Sequence, residues 1–159
     1  MGIRYGTIND LDTMHEIMNE AFAEFANEPV PAKALSETKE QFAEKLENGE
    51  KAFIVSTADG IDCGMVRFEI MGDTLYFYRL SIKQEYRGLG YAKLLLIELE
   101  REAMRNKVRL IRCKVRHNLS SQVSLYESLG YIQYAEEWLE REGQSIYVKY
   151  LEKPVLLKV

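Results

Sequence analysis

The run Arg87-Gly88-Leu89-Gly90-Tyr91-Ala92 constrains this chain more than any other stretch. An apolar, β-prone segment precedes it (Leu75, Tyr76, Phe77, Tyr78, Leu80, Ile82), and a strongly helical one from Lys93 to Glu102 follows without a break. Strand, glycine turn and helix therefore follow in succession. Glycine lets the backbone turn tightly and present bare N–H groups, and a helix N-terminus adds unpaired donors and partial positive charge. A pyrophosphate suits such a seat, although the same turn also serves as a tight connection with no ligand. A Walker loop is excluded because Gly90 is followed by Tyr91-Ala92 instead of Lys-Ser/Thr. A dinucleotide fingerprint is excluded because Lys93 stands where a third Gly or Ala is required.

The rest of the chain supplies alternating elements around this turn. Residues 3–8 are β-prone, and Asn9-Asp10 offers an N-cap for a helix to about residue 27. Leu11, Met14, Ile17, Met18, Ala21, Phe22 and Phe25 form its apolar face. Glu16, Glu20, Glu24 and Glu28 line up on another face, either as a solvated ridge or as an acidic wall that attracts an amine. Pro29 and Pro31 end this helix, and a second is expected over 36–47, closed by Asn48-Gly49. Strands at 52–58, 63–71 and Thr74–Ile82, joined by Asp59-Gly60 and Gly72-Asp73, read as an antiparallel meander. A helix over Tyr91–Arg105 then leads to a strand at 108–115, which should run parallel to the strand before the turn. A short helix at 122–129 and a hairpin of 131–139 with 145–151 complete the pattern.

Length and composition narrow the class. The 159 residues, 47% hydrophobic and 29% charged, suit one domain over 1–159 with a single core. Neither a membrane-length apolar run nor a signal-peptide pattern is present, so a cytoplasmic protein without a membrane partner is expected. Cys63 and Cys113 lack metal-ligand spacing and read as free, reduced thiols in or near the core, and no metal is expected. A net charge of −4 without a basic tract argues against nucleic acid as a ligand.

A second stretch, Leu119 to Tyr131, ends in Leu125-Tyr126-Glu127-Ser128-Leu129-Gly130-Tyr131. With it, the sequence resembles the GNAT superfamily of acyl-CoA-dependent N-acyltransferases. Arg87, Gly90 and Ala92 match the family's Arg/Gln-x-x-Gly-x-Gly/Ala pyrophosphate signature, and Leu125 to Tyr131 match its Leu-Tyr-Glu-x-Leu-Gly-Phe/Tyr helix end. The resemblance implies an α/β (α+β) fold. Its sheet would be mixed, mostly antiparallel and seven-stranded, with a splayed parallel central pair and about four helices. It implies an acetyltransferase that moves the acetyl group of acetyl-CoA, its cosubstrate, directly to a primary amine of a small molecule, peptide or protein. A non-catalytic acyl-CoA-binding regulatory domain is the competing reading, and a homodimer is kept open.

The resemblance also assigns roles. The turn residues Arg87, Gly88, Leu89, Gly90, Tyr91, Ala92 and Lys93 would hold the pyrophosphate, and backbone groups of Leu80 and Ile82 the pantetheine arm, like an added strand. N–H groups near Leu80 would donate to the oxyanion, and Tyr126 would be general acid to the departing thiolate. Without the family, Tyr126 reads equally well as a core aromatic. Where the family often places Asn, seven residues before that Tyr, this chain has Leu119, so Asn118 or Gln122 takes the polar contact to CoA.

No carboxylate or histidine lies on the strand face that alternation assigns to Tyr76, Tyr78 and Leu80. Glu69 on the neighbouring strand, or a water held by tyrosines, is therefore the expected base, with His117 a weaker candidate. The glutamate ridge, with Glu69, Glu136, Glu137, Glu140 and Glu142, suggests a cationic acceptor entering between the first helical region and the final hairpin.

Overall fold

The computed structural model describes residues 2–25, 33–116, 120–141 and 143–156. The end of the first helix at 26–27, Glu28, Pro29, Pro31, His117, Asn118, Leu119 and Glu142 lie outside the described residues.

Strand β1 (Gly2–Gly6) leads into helix α1 (Leu11–Phe22) through one 3-10 turn, Ile8–Asp10. The cap expected at Asn9-Asp10 is displaced to Thr7. The Asn9 N–H donates to Thr7 Oγ1 (3.3 Å) and the Thr7 N–H to Asp10 Oδ2 (3.0 Å), so two otherwise orphaned donors satisfy each other's residues. Asp10 caps nothing in α1, because its carboxylate is turned back to Thr7 and to Arg4 Nη2 (3.2 Å). After Phe22 the chain tightens into a 3-10 turn, Ala23–Phe25, so the α-helix proper is shorter than expected.

Helix α2 (Lys39–Glu47) starts three residues later than its composition suggests, at a second reciprocal cap between Thr38 and Gln41. Lys33–Ser36 is a separate 3-10 turn. Between them Glu37 is drawn inward, 7% exposed, by a buried cation described below.

The remaining elements are β2 (Lys51–Ser56), β3 (Asp62–Met71), β4 (Thr74–Ile82), α3 (Tyr91–Arg105), β5 (Leu110–Arg116), α4 (Ser120–Ser128), β6 (Ile132–Arg141) and β7 (Gln144–Pro154). Strand β2 stops short of residue 58 because Thr57 accepts two turn bonds, from Gly60 N–H (3.0 Å) and, through Oγ1, from Ile61 N–H (3.1 Å). Val108 stays outside β5 because its N–H closes α3 on the Ala103 carbonyl (2.8 Å).

The seven strands hydrogen-bond in the order β1-β2-β3-β4-β5-β7-β6, with β4 and β5 parallel. This is the mixed sheet with four helices that the resemblance implies. The parallel pairs are Thr74 with Leu110, Leu75 with Ile111 and Tyr76 with Arg112, while β4 itself runs on to Ile82. β5 pairs antiparallel with β7 from Leu110 to Arg116, and β7 with β6.

By contact the chain divides into two compact units: Met1–Glu69 with Phe77–Leu99, and Ile70–Tyr76 with Glu100–Val159. In the first, Met14, Ile17 and Met18 of α1 and Phe42 of α2 close on Ala52, Ile54 and Met65 of the sheet, all at most 1% exposed. A full burial of each such side chain contributes roughly 1.5–3 kcal/mol. Gly64 lets β3 approach the end of β4: a Cβ there would lie 2.5 Å from Ile82 Cδ1 and 3.1 Å from the Ser81 carbonyl oxygen. Any side chain at 64 would displace Ile82. In the second unit, buried Ile111, Cys113 and Val115 of β5 alternate with Arg112 and Lys114. Cys63 and Cys113 are both free and buried.

Candidate acyl-CoA site

In the first unit, β4 gives way to a 3-10 turn (Gln84–Tyr86), an extended Arg87, and then two left-handed glycines, Gly88 at φ +76° and Gly90 at φ +90°. Other L-residues adopt this region at a cost, so both positions favour glycine for backbone reasons alone. Among the described residues, and apart from the turn's own neighbours, no atom lies within 4 Å of where a Cβ would stand at either.

The first bond of α3 runs from Leu94 N–H to the Gly90 carbonyl (3.1 Å), so the N–H groups of Tyr91, Ala92 and Lys93 precede it and have no acceptor inside the helix. Leu89 and Lys93 are exposed, and Tyr91 packs edge-on against Tyr86. These donors, the room at the two glycines and the helix dipole fit an anionic diphosphate.

The Arg87 side chain points away from its own turn. Nη1 meets Glu24 Oε1 (2.6 Å), Nη2 donates to the Ala21 carbonyl (2.7 Å), and Nε faces the Ile82 carbonyl at 3.4 Å. Lys83 lies 3.8 Å from Glu16 and 3.9 Å from Glu20, and Gln84 donates to the Glu20 carbonyl (3.4 Å). The glutamate ridge stays largely exposed, Glu16 at 72% and Glu24 at 42%, and its contacts to Lys83 and Arg87 are surface ion pairs, as on a solvated face.

Strict alternation along β4 holds through Tyr78 and then breaks. Leu75 and Phe77 are buried while Tyr76 and Tyr78 are half-buried, but Leu80, Ser81 and Ile82 are buried in succession. The cause is Arg79, a non-glycine residue at φ +55°. Its carbonyl accepts from Ser81 Oγ (2.8 Å), which helps to hold the irregular turn of backbone. Leu80 therefore cannot be placed on the face of Tyr76 and Tyr78 by counting. Such a conformation costs roughly 1–3 kcal/mol and clusters at functional sites. Nothing in the sequence marks it, since Arg79 is neither Gly nor Asn.

Beside it lies a buried polar cluster. Arg67 of β3 is fully buried, with its guanidinium 3.8 Å from the centroid of Phe42. Its Nε donates to Glu50 Oε2 (2.9 Å), its Nη2 to Glu37 Oε2 (3.0 Å) and its Nη1 to Glu37 Oε1. Lys45 Nζ meets Glu37 Oε2 (2.8 Å), and the Tyr78 hydroxyl donates to Glu50 Oε1. Burial opposes the Glu37 charge, but the hydrogen bonds of Arg67 and Lys45 outweigh it and hold the carboxyl at about 2. Burial and the bond to Glu50 push the Tyr78 phenol well above its ordinary value. Glu69, half-buried at the end of β3, adds to the negative field at Tyr78. The sequence signal for this cluster was an arginine in the otherwise apolar run Met65-Val66-Arg67-Phe68.

In the second unit, Tyr126 of α4 is 2% exposed, its ring 5.8 Å from Tyr131. Its carbonyl accepts from the N–H groups of Leu129 (3.0 Å) and Tyr131 (3.1 Å), and Gly130 sits at φ +97°. This is the left-handed helix stop that the Leu-Gly-Tyr triplet encodes. Burial pushes the Tyr126 phenol well above its usual range, and the Cys113 thiol, also by burial, up to about 12. Gln122 is half-buried in the first turn of α4. No group of potential metal ligands occurs among the described residues, and no described helix is long and apolar enough to cross a membrane.

A glycine turn between a sheet strand and a helix, on a mixed sheet with one parallel pair, is the arrangement that the resemblance to the N-acyltransferases implies. The family model "Acetyltransferase (GNAT) domain" matches residues 15–147, and the chain belongs to that family. An acetyltransferase of Yersinia pestis is 28% identical over 87 residues, a segment that covers 55% of this chain and 62% of that protein. The chain thus matches less than two thirds of the length of that relative. Among solved structures, the ribosomal-protein-alanine N-acetyltransferase of Brucella melitensis superposes with a TM-score of 0.80 at 19% identity, covering 97% of this chain and 99% of that one. The PaiA N-acetyltransferase of Thermoplasma acidophilum, solved in complex with coenzyme A, gives 0.72 at 20% identity, with 97% and 99% covered. At these identities the likeness is one of fold.

Proposed function

We propose that this protein is a cytoplasmic N-acetyltransferase that uses acetyl-CoA and acetylates a primary amine by direct attack. The observation that carries the reading is the pair of left-handed glycines, Gly88 and Gly90, opening α3 directly after β4 with room for a Cβ at each among the described residues. Acetyl-CoA supplies an acyl thioester, whose thiol is a good leaving group.

The N–H groups from Gly88 to Lys93 bind its diphosphate, and Arg87 braces them from behind through Glu24 and Ala21. Leu80 and Ile82 offer backbone groups to the pantetheine arm, and a Leu80 N–H donates to the acyl oxygen. Gln122, in the first turn of α4, supplies the polar contact to CoA.

Tyr126 holds its proton on the phenol oxygen throughout the neutral range, since burial raises its pKa, and donates it as a hydrogen bond to the departing sulfur. With a thiol of pKa about 8.5 as partner, a buried phenol acts chiefly as a strong hydrogen-bond donor. Glu69 takes the ammonium proton of the acceptor; Tyr78 is not free to organise a water by donation, because its hydroxyl proton points at Glu50.

Thiol release from acetyl-CoA, followed against a panel of amines, tests the reading. Acceptor-dependent release is expected; acetyl-CoA binding with no release for any amine would favour a non-catalytic acyl-CoA-binding domain.

A further inference from the structure

We propose that the acceptor is an amino-carboxylate and that Arg79 receives its carboxylate; this rests on the acetyltransferase reading above. The residue combines three observations. First, its backbone is held left-handed at φ +55° in the middle of a strand, directly before Leu80. Second, its Nε is buried and, among the described residues, has no hydrogen-bond partner. Third, the carboxylates in its electrostatic neighbourhood, Glu37 and Glu50, are already taken.

The last point decides the sign of the ligand. Glu37 Oε1 accepts from Arg67 Nη1, and Glu37 Oε2 from Arg67 Nη2 and Lys45. Glu50 Oε1 accepts from the Tyr78 hydroxyl and Glu50 Oε2 from Arg67 Nε. Every carboxylate oxygen of the cluster thus has a donor, and among the described residues Arg79 Nε has no hydrogen-bond partner. A guanidinium does not shed its proton in a protein, so Arg79 stays a partly buried cation that Glu37 and Glu50 balance only through space, with no hydrogen bond at Nε among the described residues. Burying such a charge unpaired is costly, and an incoming anion relieves the cost. One surplus guanidinium, with its planar fork of donors, matches a monovalent carboxylate better than a dianionic phosphate.

Part of the negative charge of the glutamate ridge is balanced by Lys83 and Arg87. Arg79 directly precedes Leu80, whose backbone is assigned to the acyl group, so the carboxylate contact is proposed on the same stretch of β4 as the acyl contact.

The test compares amino acids with their amides, and spermidine, as acceptors for the wild type and for Arg79→Asn. Asparagine removes the charge yet tolerates the left-handed backbone, so the fold is expected to survive. The wild type should prefer the carboxylate over the matched amide by about 10- to 100-fold in kcat/KM, the usual size of a charge-assisted hydrogen bond, expressed in KM. In Arg79→Asn that preference should vanish, and Arg79→Lys should restore only part of it. Equal use of amide and carboxylate by the wild type, preference for spermidine, or an intact preference in Arg79→Asn would overturn the proposal while leaving the acetyltransferase reading in place.

If no acceptor turns over, calorimetry with the product mimics N-acetylglycine and N-acetylglycinamide, in the presence of CoA, reads the same discrimination. Selective binding of the carboxylate that is lost in Arg79→Asn supports the assignment, and indifference between the two overturns it.

Discussion

The guanidinium of Arg87 lies 2.6 Å from the carboxylate of Glu24 and also donates to the Ala21 carbonyl, so the phosphate-type turn after β4 is tied to the last turn of α1. Both side chains are about two-fifths exposed, at 40% and 42%, and an exposed ion pair contributes at most about 1 kcal/mol. Its importance is electrostatic placement: a carboxylate sits behind the very donors assigned to an anion. Glu24→Gln should therefore change stability by less than about 1 kcal/mol in urea denaturation. It should tighten acetyl-CoA binding by about 2- to 5-fold at low salt, with the gain fading near 0.5 M salt as the charge is screened. Weaker binding in calorimetry would show that Glu24 organises the turn more than it repels the ligand.

Gly90 separates backbone from ligand effects. At φ +90° an alanine is strained whatever its surroundings, at a cost of about 1–2 kcal/mol, yet its Cβ would meet no atom of the described residues beyond its chain neighbours. Gly90→Ala is expected to lower Tm modestly. Gly90→Glu should lower it to a similar extent while abolishing measurable acetyl-CoA binding, because bulk and negative charge both enter the diphosphate seat. A folded Gly90→Glu protein with unchanged affinity would remove the turn from the site.

Tyr126→Phe keeps the ring against Tyr131 and removes the hydroxyl. Turnover should fall by about 10²- to 10⁴-fold if the phenol delivers a proton at the sulfur, with acetyl-CoA affinity changed far less. A near-equal loss of both, alongside a drop in Tm, would mark Tyr126 as a core residue.

The Glu37 carboxyl predicts an acid limb of stability. Its folded pKa is depressed from 4.5 to about 2 by Arg67 and Lys45. The stabilisation is therefore complete above about pH 4.5 and lost as pH falls toward 2, on the order of 3 kcal/mol in all. Urea denaturation between pH 6 and 2.5 should show this slope in the wild type and a shallower one in Glu37→Gln.

Arg67→Met leaves Glu37 and Glu50 buried without their main donor and should cost about 3–5 kcal/mol. Adding Glu37→Gln and Glu50→Gln should recover part of that loss, since the penalty arises from unpaired charge and not from volume. If the triple variant is no more stable than Arg67→Met, the charges are not the source of the penalty.

Local chemistry carried much of this protein in the sequence itself. The meander, helix α3 over Tyr91–Arg105, strand β4 over Thr74–Ile82 and the glycine-stopped helix ending at Ser128 each rest on short-range signals: turn glycines, period-two or helical apolar spacing, and a left-handed cap. The left-handed turn at Gly88 and Gly90 was legible for the same reason, because positive φ favours a particular residue. Tertiary structure alone decided the rest, because it depended on partners distant in the chain. Thr7 displaced Asp10 as a cap because Arg4 claims the carboxylate, and the Glu16, Glu20 and Glu24 ridge found Lys83 and Arg87 more than sixty residues away. Arg79 is left-handed without any residue type to announce it. That its Nε is buried without a hydrogen-bond partner among the described residues is a property of the packed interior and not of any stretch of sequence.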